Sequence, residues 1–350
     1  MASQPRRRVR AADVAAAAGV SPTAVSFVLN GRDGGNISPD TKKRILETAE
    51  RLGYEPHHTA RSLRSNTTHS IGLVTDAVAS SPFGGRLLAA AAERAEANGH
   101  IMLVMDLHSR DDRETTAVHE LERRQVDALI YASMGFRILT APPATHLPLV
   151  LANCTTERDD VLSIYPDDAS GAASALAHLA DLGHRRVAML SGNWDPLGPV
   201  WDQGNISGPL RRDAFLAAAR SRGVRATAFE SGWEIDDGYR AAMEALDVPA
   251  DQRPTALFAI TDRAAVGALL AAARLGLTVP GDLSLVGFDD QEKMAECTVP
   301  PLTTIALPHA RMGDEAVAMA LDAAAGRPVV QPRRALRCEL LVRESTAPPR

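Results

Sequence analysis

The stretch from Ala12 to Gly31 leaves the chain little choice of local structure. Asp13 to Ala18 is rich in alanine, the strongest helix former, and Gly19 can take the left-handed conformation that ends a helix sharply. Ser21 can cap a second helix whose first position is Pro22, where no N–H is needed. Val25, Val28 and Leu29 recur three or four residues apart and make one apolar face, leaving Thr23, Ser26 and Asn30 for the other. Two short helices joined by so tight a turn predict a helix-turn-helix, the unit that lays its second helix in a DNA major groove.

Charge supports that reading. Residues 1–68 hold 11 Lys/Arg against 6 Asp/Glu, a net +5, while the remaining residues carry a net −10 within an overall −5. A polyanion partner therefore belongs to the N-terminal part alone. Ser38-Pro39-Asp40 is a second helix start, and Ile45, Leu46, Ala49 and Leu52 form the apolar stripe of a third helix that Gly53 stops. Beyond Pro56, Thr59 to Arg64 is marginally helical by itself and reads as a hinge.

From Ser70 onward, short apolar runs alternate with amphipathic segments. Strands are expected at 71–76, 100–106, 127–131, 149–152, 186–190, 255–260 and 283–288, with helices at 83–98, 111–124, 168–182, 210–222, 236–246 and 263–275. That order predicts parallel sheets covered on both faces, and about 275 residues of it predict two lobes with a ligand cleft at the carboxyl ends of the strands. Cys154, Cys297 and Cys338 lack paired spacing, which suits a reducing cytoplasm and suggests no zinc site. No apolar run approaches the ~18 residues of a membrane span, and no apolar signal core follows Arg6 to Arg10, so a cytoplasmic protein is expected. HExxH, GxSxG, GxGxxG and Walker patterns do not occur, so neither an enzyme nor a cofactor is expected.

The motifs together resemble the LacI/GalR family of bacterial transcription regulators along essentially the whole chain. They are Asp13-Val14-Ala15 with Ala18-Gly19-Val20-Ser21, Val28-Leu29-Asn30-Gly31, Leu52-Gly53-Tyr54 and Ala60-Arg61-Ser62-Leu63. Leu182-Gly183-His184-Arg185, Val286-Gly287-Phe288-Asp289-Asp290, Pro300 to Thr304 and Val342 to Ser345 follow in the family's order. The resemblance implies an all-α helix-turn-helix head on an α/β two-lobed core similar to periplasmic binding proteins. The expected division is a head over 1–58, a hinge helix and linker over 59–69, a core over 70–345 and a tail over 346–350. One lobe is expected to take about 70–166 and 306–328, the other about 167–305 and 329–345.

The resemblance also implies a homodimer on a near-palindromic operator, with a small-molecule effector, a sugar or related metabolite, changing its DNA affinity. Thr23 becomes the candidate base contact, with Pro22 at a second reading position, and Ser26, Asn30 and Thr41 become phosphate contacts. Leu63 becomes a minor-groove wedge, and Ser21, His57 and Ala60 complete the DNA-contacting set. Phe27 stands where the family usually has an arginine, and it can touch a thymine methyl but cannot make the bidentate contact to guanine. For the effector the candidates are Phe83, Asn153, Arg211, Thr261 and Asp289. Arg211 falls just before a helix, and Asp289 can accept two hydroxyl hydrogen bonds at a strand end. Phe83 can stack on a ligand or fill the core, Thr261 can bind or cap a helix, and Trp194 and Trp201 can stack on a sugar or lie on the next helix. Asn153 stands where an aspartate is common and Thr261 where an asparagine is, both at positions where the family binds its effector. The alternative reading is a solute-binding protein without a DNA role.

Overall fold

The computed structural model describes residues 9–29, 37–54, 67–79, 84–108, 111–192 and 204–350, and the chain divides into two compact units, 1–68 and 69–350. In the first unit, α1 (Ala11–Ala18) ends at Gly19, whose φ of 65° turns the chain. The path bends by 105° into α2 (Pro22–Leu29), and Ser21 Oγ accepts the Ala24 N–H at 3.1 Å to start it. Ser38 Oγ accepts the Thr41 N–H at 3.3 Å and caps α3 (Pro39–Leu52). Val14, Ala15 and Ala18 of α1, Val25 and Val28 of α2, and Ile45 and Ala49 of α3 close a small core. Arg44 Nε donates to the Ala18 carbonyl at 3.0 Å, tying α3 to the end of α1.

The second unit holds two six-stranded sheets. The first contains β1 (Ser70–Thr75), β2 (Ile101–Asp106), β3 (Ala128–Leu139), β4 (Leu149–Thr156), β5 (Leu162–Asp167) and β11 (Arg333–Arg337). Its order is β11-β5-β4-β3-β1-β2, every pair parallel. The second contains β6 (Arg186–Gly192), β7 (Arg225–Ser231), β8 (Ala256–Ala259), β9 (Ser284–Asp289), β10 (Thr303–Ala306) and β12 (Glu339–Leu341). Its order is β12-β10-β9-β8-β6-β7, with only β12 antiparallel.

Helices cover both faces, so the strands read as nearly unbroken apolar runs. On the first sheet, α4 (Gly85–Ala97) and α10 (His309–Ala324) lie on one face and α5 (Glu114–Arg123) on the other. On the second, α8 (Ile235–Leu246) and α9 (Asp262–Arg274) oppose α6 (Asp168–Asp181) and α7 (Ser207–Ser221). The two-residue period of a strand is visible in β6, where Ala188 and Leu190 join the α8–α9 cluster while Val187 and Met189 join the α6–α7 cluster. Gly313 lets α10 meet α4, because a Cβ there would lie 2.1 Å from the Leu87 carbonyl oxygen.

Sequence reasoning located the apolar strands but missed β5, β7, β10, β11, β12 and α10. It also ended β3 at residue 131, whereas the strand runs on to Leu139 through a register shift between Ala132 and Arg137. The lobe boundary expected at 329 needs correction. Arg333–Arg337 pair in parallel with Ser163–Asp167, so the chain stays in the first lobe until residue 337. The strand Arg-Arg-Ala-Leu-Arg has no apolar run to betray it. Backbone pairing holds it at the sheet edge, helped by Arg333–Asp159 at 2.8 Å and Arg334–Glu315 at 3.0 Å.

Candidate functional site

In the helical unit, α2 turns Val25 and Val28 inward and leaves Ser21, Pro22 and Thr23 exposed. Phe27 is 44% exposed, a large ring left outside an already closed core. Ser26 and Thr41 are half-buried, and Thr41 Oγ1 accepts a hydrogen bond from Ser38 Oγ at 2.9 Å. No ionisable residue lies on α2, so its outward face offers hydroxyls, a ring and backbone ends. Asn30, His57, Ala60, Leu63, Phe83, Trp194 and Trp201 lie outside the described residues.

In the core, the two lobes meet near the carboxyl ends of their strands. The Ile206 N–H donates to the Phe136 carbonyl at 2.8 Å, and Arg137 forms an isolated bridge with Asn205. Arg86 of α4 reaches Asp290, just beyond β9, at 3.0 Å, and Arg343 holds the same carboxylate at 2.7 Å. Burial pushes the Asp290 carboxyl up, but the hydrogen bonds from Arg343 and Arg86 outweigh it and hold the group below its usual range.

The wall contributed by the second lobe centres on Arg211, which is 3% exposed. Its Nε donates to Asp168 Oδ1 at 2.7 Å, and its Nη1 reaches the Ile260 carbonyl at 2.7 Å and Asp289 Oδ1 at 3.3 Å. The guanidinium lies 3.6 Å from the centre of the Phe288 ring, a cation–π contact between two buried side chains. Asp289 ends β9 with φ 107°, a left-handed backbone that costs free energy in any residue but glycine. Burial drives its carboxyl up to about 7 against the opposing pull of Arg211. Burial likewise raises Asp168, opposed by Arg211, and raises Asp262 well above the carboxylate range, with the nearby Asp289 adding to the effect. Asp262 accepts from Thr304 Oγ1 at 2.5 Å and from the Gln291 N–H at 2.7 Å. His309, at the start of α10, is driven down to about 4 by burial and by the charges of Arg86 and Arg211, so it is neutral at pH 7.

The first lobe's wall is similar in kind and smaller. Asp76, past the end of β1, accepts from Ser133 Oγ at 3.0 Å and the Met134 N–H at 2.8 Å, with Arg137 at 3.7 Å. Burial raises its carboxyl against the attraction of Arg137. Arg137 Nη2 also donates to the Tyr131 hydroxyl at 3.3 Å. Asn153, on β4 with φ 56°, donates its amide N–H groups to the Ser133 and Met134 carbonyls, both at 3.0 Å. Gly135 makes room for Asn205, whose side chain would lie 2.6 Å from a Cβ there.

The structure therefore brings Arg211 and Asp289 together and places Asn153 on the opposite lobe. Arg211 is not just before a helix as expected: α7 begins four residues earlier, at Ser207. Thr261 is a helix cap, since its hydroxyl accepts the Ala264 N–H and donates to the Trp233 carbonyl, both at 3.0 Å. Sequence reasoning passed over Asp76, Arg137, Asn205 and Trp233, and it took Asp168 and Asp262 for ordinary helix starts. Trp233 packs its ring against Gly192 and Gly208, where a Cβ would come within 3.2 Å and 3.6 Å of it, and its buried Nε1 has no partner. The available signals were adjacent carboxylates at Asp167-Asp168 and a Gly232-Trp233 pair after an apolar run. Among the described residues, no group of three His, Cys, Asp or Glu side chains is arranged to hold a metal ion. No single helix among them is long and apolar enough to cross a membrane.

The family model for bacterial regulatory proteins of the lacI family matches residues 11–57, and that for the periplasmic binding protein-like domain matches residues 176–346. The chain is 32% identical to the HTH-type transcriptional regulator DegA of Bacillus subtilis (strain 168), over 96% of this chain and 97% of that one. It is 30% identical to the HTH-type transcriptional repressor CytR of Escherichia coli (strain K12), over 95% of both. Its fold is similar to that of the Lac repressor dimer bound to operator and the anti-inducer ONPF. That match has a TM-score of 0.80 and 27% identity, over 97% of this chain and 100% of that one.

Proposed function

The chain belongs to the LacI family, as a DNA-binding transcriptional repressor with an effector-binding core, and from that premise we propose that it acts as a cytoplasmic dimer on a two-fold-symmetric operator, released or recruited by a carbohydrate effector bound between the lobes. The observation that carries the DNA half is α2: its apolar residues are spent on the core while Ser21, Pro22, Thr23 and Phe27 face outward. Thr23 and Phe27 read base edges, with Pro22 in a reading position but without a donor. Ser21, Ser26, Asn30, Thr41, His57 and Ala60 position the head on the backbone, and Leu63 is the wedge between base pairs. In the core, Arg211, Asp289 and Asn153 hold the effector with Phe83, and Thr261 positions Trp233 beside them rather than contacting the ligand.

An effector alters DNA occupancy only by its differential affinity for the two states of the core. The direct experiment incubates the full chain with random-sequence duplex DNA and sequences the retained fraction. A two-fold-symmetric site, bound less tightly as salt rises because phosphate contacts release counterions, is the expected result. Retention of no sequence, with ligand binding intact, would return the chain to the solute-binding reading.

A further inference from the structure

At its amino end, the second sheet carries two arginines that the crevice does not use. Ala188 and Leu190 of β6 lie on the face that α8 covers, and Phe229 of β7 packs against the same cluster. The two-residue period of a strand puts Arg186 of β6 and Arg225 and Thr227 of β7 on that face as well. Arg186 and Arg225 are direct partners in the β6–β7 register. Neighbouring strands are ~4.8 Å apart, so the two side chains rise next to each other, and like charges placed so repel. Other arginines of this lobe meet carboxylates, as Arg212 meets Asp213 and Arg222 meets Asp181. These two do not. Arg186 donates from Nη1 to the backbone carbonyl of Asp251, and neither guanidinium is paired with a carboxylate among the described residues.

Both arginines border a cavity of about 340 Å³, at the small end of the range for small-molecule sites. Ala188, Phe229, Ala245 and Val248 give it an apolar floor between the outer strand β7 and the end of α8. Even with the exposed Asp251 carboxylate at the rim, the lining holds an excess of positive charge. Arg186 is half-buried and fixed by its bond to a carbonyl, while Arg225 is exposed and able to swing. An oxyanion set between two guanidinium forks accepts hydrogen bonds from both and turns their repulsion into a shared attraction. Arg186 and Arg225 open their strands, whereas Gly192, at the other end of β6, lies against Trp233 in the crevice wall.

We propose that this cavity is a second ligand site, at the opposite end of β6 from the crevice, for a small amphipathic anion. A carboxylate or phosphate sits between Arg186 and Arg225, and an apolar or aromatic body rests on Phe229 and Val248. The site does not depend on what the crevice binds. The test is fluorine NMR on the full chain with para-fluorobenzoate and para-fluorophenyl phosphate, and with neutral para-fluorobenzamide as the control. Ionic strength is held fixed, because salt screens exposed charges. The expected result is saturable binding of at least one anion, with Kd at least tenfold weaker for the amide and at least fivefold weaker for the anion in Arg225→Gln. The tighter of the two anions identifies the head group. Binding of neither anion, amide binding as tight as the anions, or anion binding that Arg225→Gln leaves unchanged overturns the proposal. Without ligand, Arg225→Gln relieves the cross-strand repulsion and is expected to raise Tm. A fall in Tm would mean that Arg225 already has a compensating partner, which contradicts the charge argument.

Discussion

The outward face of α2 and the walls of the crevice hold their polar groups under opposite conditions. On α2, Ser21, Pro22, Thr23 and Phe27 are exposed, none carries a charge, and the helix keeps its fold by the apolar residues behind them. In the crevice, Arg211, Asp168, Asp262 and Asp289 are buried, ionisable and bonded to one another or to backbone before any ligand arrives. Ser21 also caps the helix, but Thr23 and Phe27 can change with little effect on folding, so sequence preference can drift at little cost in stability. The crevice side chains are coupled to stability, so the site is rigid, pre-organised and hard to alter one residue at a time.

The largest expected effect breaks the crevice side of this contrast. Arg211→Ala leaves Asp168 and Asp289 buried without their shared cation and is expected to cost ~3–5 kcal/mol of core stability, read from the shift of the urea midpoint. A loss under ~1 kcal/mol would mean the walls are not the stiff element described. Phe27→Arg probes the other side. It is expected to leave the urea midpoint unchanged while adding ~1–3 kcal/mol of preference for guanine at one operator position, measured by titration of single-base variants. If it unfolds the head instead, Phe27 belongs to the core. Ser38→Ala removes the cap of α3 and is expected to cost ~1 kcal/mol in the head alone, visible as faster amide exchange along that helix.

The smallest effect is a pH dependence. Asp289 has a folded pKa of about 7, above its unfolded value, so the folded state holds the extra proton and stability rises as pH falls through 7. His309, at about 4 when folded, acts in the opposite sense below its unfolded value of 6.5. Between pH 8 and 6.5 Asp289 by itself contributes a gain somewhat below ~1 kcal/mol, offset in part by His309, His178 and His184, which burial lowers, so a variant is needed to isolate it. Asp168, Asp262 and Asp76, also raised by burial, act in the same direction. Urea midpoints across that window should show a smaller gain in Asp289→Asn than in the native chain.

How much of this was legible in the sequence follows from the same contrast. The helix-turn-helix is built from local rules, a left-handed Gly19, a Ser21 cap and apolar residues three or four apart, so a linear reading finds it. The central strands are legible because both faces are buried and their residues are all apolar. The edge strand Arg333–Arg337 is held by backbone pairing and ion pairs, and nothing in Arg-Arg-Ala-Leu-Arg announces it. Arg211 and Asp289 were found through resemblance to a family. Asp168 and Asp262 were not, because an aspartate at a helix start looks the same whether it faces water or a guanidinium 43 residues away in the chain. Trp194 and Trp201 stand out in a linear reading because their loop is rich in Gly and Pro, while Trp233 owes its place to Gly192 and Gly208, a tertiary fact that no local pattern encodes.

The central claim is that the crevice and the DNA-contacting head are two ends of one equilibrium. Its most direct test is the Kd of the full chain for its selected DNA site, measured without ligand and with a saturating amount of a carbohydrate that raises the Tm of the chain. The account predicts a change of at least fivefold, in either direction, with the same factor in sugar affinity when DNA is bound. Equal DNA affinity with and without the sugar would contradict it, since a ligand that binds both states equally shifts neither.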